Sequence, residues 1–350
     1  MILRDLLCLE HSAVVLPGSV HTLTVQAETG SHLLALWRGR KNPEPGDAEG
    51  FAQTYPQDNG TQPTPPNMVG VPPTSQYLLG LIPSAQGDSG NTACVCRVVA
   101  VGKRETDPET TLVVRGCVRG AVAVAVAVAH TPGTRAGPFA SHVRLEDTAQ
   151  VRAGYPPRDI RPAVFATFRQ MEAVETAVNE FAVVYGRAAE SPSAASPLLM
   201  SPLANTLHFQ LHGPGAQVQW DAVKRAGTET VRLAVRRESR EDSREQPGLL
   251  PGLLPPVLLL MDRVVALLPV PRDSKRAFLL AAELSERLAL FAAIAEAFVA
   301  VFPQLYSAAA YLGEHYAAAS VVEKTALVAV QLRALRGSLG GGKRRAHPGD

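Results

Sequence analysis

Leu112-Val-Val-Arg-Gly-Cys-Val-Arg119, Gly120 and then Ala121-Val-Ala-Val-Ala-Val-Ala-Val-Ala129 form the stretch on which the fold turns. Branched residues stand at every second position of Ala121–Ala129. That is the period of a strand presenting valines on one face while its alanine face lets another element approach closely. An alanine-rich helix is the competing reading, and the alternating valines weigh against it. Just upstream, the polar Lys103-Arg-Glu-Thr-Asp-Pro-Glu109 joins this stretch to the apolar run Thr92–Val101, which predicts a hairpin of antiparallel neighbours. Further out lie Tyr77–Ile82 and Phe139–Leu145. At the amino terminus Ala13–Leu16 is stopped by Pro17-Gly18 and resumed by Val20–Val25, which reads as strand, turn, strand. His32–Arg38 predicts a short helix, and the Pro-, Gly-, Asn- and Gln-dense 41–74 predicts an exposed insertion. Six or seven short strands with few helices in residues 1–150 imply a small barrel or partly closed sheet.

After Gln150 the apolar period changes to about 3.6. Val164, Phe168, Met171, Val174, Val178, Phe181 and Val184 mark a long amphipathic helix over Arg161–Ala189, with Pro162 placed in its first turn. A weaker helical segment, Ala216–Val235, lies between linker-like stretches at 190–202 and 236–256. Further helices are expected at Val257–Leu268, Asp273–Leu280, Leu284–Val301 and from Gln304 to about Arg336. The expected architecture is α+β: a β-rich domain over 1–150, a helical bundle over 151–336 and a flexible basic tail over 337–350.

Composition narrows the function. With 34 basic and 32 acidic residues the formal charge is +2, too small to argue for nucleic acid, and 5% aromatic residues leave no stacking platform for single strands. The four cysteines, Cys8, Cys94, Cys96 and Cys117, lack the density of a disulfide scaffold and the spacing of a zinc knuckle, so reduced thiols are expected. Asp5 and Glu10 stand where a cleaved leader would be basic. The most apolar helical stretch, Leu284–Phe302, carries Glu286, Arg287 and Glu296, so no membrane span is expected.

The catalytic signals fail on their own chemistry. Gly337-Ser-Leu-Gly-Gly-Gly-Lys343 matches part of a phosphate-binding loop, but Arg344 takes the place of the Mg²⁺-binding hydroxyl. Gly87-Asp-Ser-Gly90 and Val128-Ala-His130 are in the wrong order for a trypsin-like triad. His208 and His212 share a helical spacing, yet Phe209 sits where a zinc protease carries its glutamate. No catalytic residue, metal site or cofactor is expected.

Several motifs, in order, do carry a resemblance. Val14-Val-Leu-Pro-Gly-Ser19, Leu79-Gly-Leu-Ile-Pro83, Asn91-Thr-Ala-Cys-Val-Cys-Arg-Val-Val-Ala100 and Leu112–Arg119 resemble successive segments of the amino-terminal region of Lon proteases, in the form found in the peroxisomal branch. Met261-Asp-Arg-Val-Val-Ala-Leu-Leu-Pro269, Lys275–Leu280 and Leu284-Ser-Glu-Arg-Leu288 are similar to its helical continuation. The resemblance implies a PUA-like barrel followed by helices. It also implies a non-catalytic role in protein quality control, recognising unfolded or damaged protein substrates, with Lon-type hexamer subunits as further partners and the peroxisomal matrix as compartment. The ATPase and Ser–Lys protease motifs of the parent family are not in this sequence, and Ala346-His-Pro-Gly-Asp350 is not a Ser-Lys-Leu-type address. The alternatives are a fragment or subunit of a complete ATP-dependent protease, or an adaptor or receptor binding another partner. Leu16, Pro17 and Gly18 are the expected rim of a substrate contact, with a packed turn as the competing reading.

Overall fold

A computed structural model describes residues 2–39, 69–70, 78–83, 92–103, 109–126, 139–146, 157–190, 197–241, 254–316, 319–326 and 329–330. The fold is α+β. By contacts the chain divides into a β unit, Met1–Ala153 with Lys275–Glu283, and a helical unit, Gly154–Ser274 with Leu284–Asp350.

The β unit contains β1 (Ile2–His11), β2 (Val20–Gln26), helix α1 (Ala27–Gly39), β3 (Val69–Gly70), β4 (Leu78–Pro83), β5 (Thr92–Lys103), β6 (Glu109–Val126) and β7 (Phe139–Leu145). β6 is the spine. One of its edges pairs antiparallel with β5 from Thr110 to Ala121; the other is shared by β2 over Glu109–Arg115 and β7 over Gly120–Val126. β7 pairs antiparallel with β1, β1 pairs parallel with β4, and β4 pairs antiparallel with β5. Following the ladders from β5 through β6, β7, β1 and β4 leads back to β5, so five strands close a barrel. Closure removes the open edges that would invite aggregation. Leu3, Leu6, Cys8, Ile82, Ala93, Val95, Val118, Val143 and Leu145 form its core, each ring strand contributing at least one residue. On β1 the alternate residues Leu7 and Leu9 are buried as well, so this strand is covered on both faces.

β6 runs unbroken through Gly120, where the apolar runs Thr111–Val118 and Ala121–Ala129 meet. Glycine normally weakens a strand. Here a Cβ at position 120 would stand 2.5 Å from Val143 Cγ1 and 3.1 Å from the Arg144 carbonyl, so its absence is what admits β7. The amino-terminal strand differs from the expected one. It is Ile2–His11, while Val14–Leu16 is buried but not in a ladder. Most of the insertion at 41–74 lies outside the described residues, apart from the short β3, which pairs with Val101 and Ala100. The tip of the β5–β6 hairpin lies outside them too.

The segment Lys275–Glu283, which sequence alone places with the bundle, belongs by contacts to the β unit. It is held by Arg119, the last residue of the β6 motif. The Arg119 side chain is 2% exposed, and its Nη1 donates to the carbonyls of Phe278 at 2.7 Å, Leu279 at 3.0 Å and Ala281 at 3.4 Å. These carbonyls lie at and just past the end of helix α7 (Arg272–Leu280), where the backbone has run out of intrahelical donors and the helix dipole is negative. The guanidinium also lies 4.9 Å from the centre of the Phe278 ring.

The helical unit contains α2 (Pro157–Glu190), α3 (Pro197–Met200), α4 (Pro202–His212), α5 (Pro214–Glu241), α6 (Leu254–Leu267), the start of α7, α8 (Leu284–Val299) and α9 (Val301–Tyr316). α2 begins before its expected start, so Pro162 lies inside the helix and not in its first turn. Val164, Val174, Val178 and Phe181 form its buried stripe, whereas Val184 is exposed. Ser201 caps α4 through its Oγ and the Ala204 amide. α5 runs on through the start of the charge run, to Glu241, instead of ending at Val235. The last expected helix is broken instead of continuous to Arg336: α9 ends at Tyr316, and a new helix, 321–326, starts from a reciprocal Ser320–Glu323 capping box.

Replacing Arg119 by alanine strands the three carbonyls and is expected to lower unfolding free energy by about 3 kcal/mol. Arg119→Lys is expected to restore only part of it, since an ammonium lacks the planar face that lies by the Phe278 ring. Urea unfolding of the full chain followed by circular dichroism measures both.

Candidate functional site

The Pro17-Gly18 motif forms a tight turn. Gly18 has φ 78°, in the left-handed region, and the Ser19 amide donates to the Leu16 carbonyl at 3.2 Å. The Ser19 hydroxyl donates to the same carbonyl and accepts from the Leu16 amide. The turn is sewn to β6 by Gly18 N–H to Gly116 O and Gly116 N–H to Ser19 O, at 2.8 and 2.9 Å. Leu16 is 0% exposed, Pro17 is buried and Gly18 half-buried. Leu16 therefore anchors the turn, Pro17 is buried beside it, and Gly18 is the least covered of the three.

The β unit half-buries two basic groups. His21, on β2, is pushed down to about 4 by burial, with the positive charge of Lys275 adding to the effect. Lys275, on α7, is lowered to about 8 by burial. The cysteines are free thiols, three of them fully buried. Burial raises Cys8 to about 12 and Cys117 to about 11 and also raises Cys96, so these three are held as thiols, not as thiolate nucleophiles.

In the helical unit, α4 brings His208 and His212 to one face. His208 stacks on Tyr185 with ring centres 3.9 Å apart and planes within 9°, and both histidines contact the buried ring of Phe181. The Tyr185 hydroxyl donates to Asn205 Oδ1 at 2.8 Å. Burial lowers the pKa of both imidazoles, so the neutral forms are favoured. Among the described residues no group of three or more His, Cys, Asp or Glu could hold a metal ion. Phe209, between the histidines, points the other way and is 73% exposed. Every large exposed hydrophobic residue among those described is in the helical unit, including Phe165, Val183 and Val184 on α2 and Val218 and Val231 on α5. An open groove of about 420 Å³ runs beside α2, lined by Arg169, Glu172, Thr176, Glu180 and Val299 among others.

Leu284–Tyr311 is the one stretch among the described residues long and apolar enough to cross a membrane by composition, with mean hydropathy 1.9. It carries Glu286, Arg287 and Glu296, and it buries Phe291, Ile294, Ala295 and Phe298 in the protein. The Gly87–Gly90, Val128–His130 and Gly337–Lys343 motifs lie outside the described residues. The half-buried His21, the Arg119 cap and the exposure of Phe209 have no signature in the sequence. Arg119 reads as one residue of a strand motif, and a single apolar residue on a helix gives no local sign of which way it faces.

The neutral form of His21 is favoured by the fold, so its contribution is unaffected above the ordinary histidine pKa of 6.5 and turns unfavourable as pH falls toward 4, where the unfolded chain binds the proton and the folded chain does not. Stability is therefore expected to fall between pH 6.5 and pH 4 and to do so less steeply in His21→Gln. For Lys275 the cost of burying the charge is relieved as pH rises from about 8 toward 10.5, giving a rise in stability that Lys275→Met would lack. Urea midpoints across pH measure both slopes.

No family model matches the chain. It is 26% identical over 253 residues to the peroxisomal Lon protease homolog 2 of Eremothecium gossypii, covering 69% of this chain and 22% of that protein. It is 25% identical over 199 residues to the corresponding protein of Kluyveromyces lactis, covering 56% and 18%. The chain thus spans about a fifth of the length of these relatives. Among solved structures, the N-terminal domain of a Mycobacterium avium complex Lon protease aligns with 84% of this chain and 98% of its own at 14% identity and TM-score 0.33. A Lon N-terminal domain protein from Xanthomonas campestris aligns with 41% and 61% at 14% identity and TM-score 0.25. The chain is thus similar in sequence to peroxisomal Lon proteases over part of their length.

Proposed function

We propose that this chain is a non-catalytic protein-recognition region of the peroxisomal Lon type, serving protein quality control by engaging apolar segments of unfolded or damaged proteins. The observation that carries this reading is the placement of exposed apolar side chains. Those that are described lie in the helical unit, where Phe209 at 73% is the most exposed aromatic side chain, while the β unit's described large apolar side chains are buried or half-buried. An aromatic ring with its whole face in water is a ready anchor for an extended apolar segment. The similarity to peroxisomal Lon proteases supports the same reading, because 253 matched residues are more than the β unit alone contains. Pro17 and Gly18, seated over the buried Leu16, are a secondary contact under this proposal. Contacts between copies in a Lon-type hexamer and residence in the peroxisomal matrix are part of it, as inherited from the relatives' type.

The test is binding of the full chain to a permanently unfolded, fluorescently labelled carrier protein without nucleotide. Binding is expected, and Phe209→Ser is expected to weaken it about five- to thirtyfold, the loss of a central aromatic anchor. Unchanged affinity in that variant, or no binding by the unmutated chain, would refute the proposal.

A further inference from the structure

We propose that His208 and His212 form a two-imidazole site for a borderline divalent transition ion such as Zn²⁺, Ni²⁺ or Cu²⁺. They stand one turn apart on α4, with ring centres 5.3 Å apart. Two imidazoles sharing one tetrahedral ion at metal–nitrogen distances of about 2.0 Å have their ring centres about 5 Å apart. The spacing of the rings thus suits a shared ion.

The nitrogens are prepared for it. His212 donates to the backbone carbonyl of Val178, and its Nε2 is buried without a hydrogen-bond partner. The donating atom is therefore Nδ1, which leaves the Nε2 lone pair unused. This is the arrangement by which a ligating histidine is fixed in tautomer and orientation by its other nitrogen. His208 Nδ1 is likewise buried and has no partner. An unsatisfied buried ring nitrogen is costly, and two on neighbouring rings are explained together by an ion that accepts both lone pairs. Tyr185, stacked on His208 and tied to Asn205, holds that ring in place. Lys224 faces His212 with a positive charge, but its Nζ is 3.2 Å from Glu175 Oε1, which offsets it. The remaining coordination positions would be filled by water or by an outside ligand, consistent with the lack of a third protein ligand among the described residues.

Imidazole ligation favours Cu²⁺ over Ni²⁺ and Zn²⁺. Titration of the full chain with each ion alone is expected to show that order, and His208→Gln and His212→Gln are each expected to weaken Cu²⁺ binding at least tenfold. Loss of nitrogen hyperfine structure from one imidazole in the Cu²⁺ electron paramagnetic spectrum of each variant is expected alongside. Affinity unchanged in both variants would show adventitious binding elsewhere and overturn the proposal. Because either variant could disturb packing around Phe181, Zn²⁺ titration of the unmutated chain followed by imidazole ¹H–¹⁵N correlation spectra gives a second reading. Shifts centred on His208 Nδ1 and His212 Nε2 support the site, and their absence at saturating Zn²⁺ overturns it.

Discussion

Arg119 carries a permanent charge with almost no access to water, and the β unit is arranged to satisfy it. Taking a guanidinium out of solvent is costly, and here three carbonyls at the exhausted end of a helix accept from its Nη1. The same contact explains why a segment more than 150 residues further along the chain is part of the β unit. A barrel closed by five ladders has little surface left for a helix end to grip. Arg119 provides a grip that an apolar side chain could not, because only a multidentate donor can bind several carbonyls at once.

The barrel shows how packing overrides local signals. Gly120 looks like a break between two strands when read by propensity, but the tight approach of β7 makes it the residue that keeps β6 continuous. Pro17 and Gly18 were legible as a turn because their backbone preferences are intrinsic. Whether that turn is a contact surface or a packed corner was not legible, since this depends on what lies over Leu16. The order of strands from Val20 onward was readable from apolar runs and polar turns. The first strand was not, because Arg4, Asp5 and Glu10 break its apolar run.

In the helical unit the period near 3.6 located the helices, while their ends depended on caps and on proline. Ser320 and Glu323 end what reads as one long helix, and the reason is local: each side chain meets the other's backbone amide. Phe209 shows what spacing alone leaves open. Its neighbours Leu207, Leu211 and the two histidines take the inner face of α4, and the aromatic ring is left outward by rotation alone. A residue whose proposed role depends on being exposed gives no signal in composition or spacing.

The reading of this chain as a protein-recognition region is tested most directly by mapping where an unfolded chain touches it. An apolar peptide carrying a photoactivatable group, cross-linked to the full chain and analysed by mass spectrometry, should label α4 around Phe209 and the exposed positions of α2 and α5. Labelling confined to the β barrel, or none that apolar competitor peptides suppress, would contradict the account.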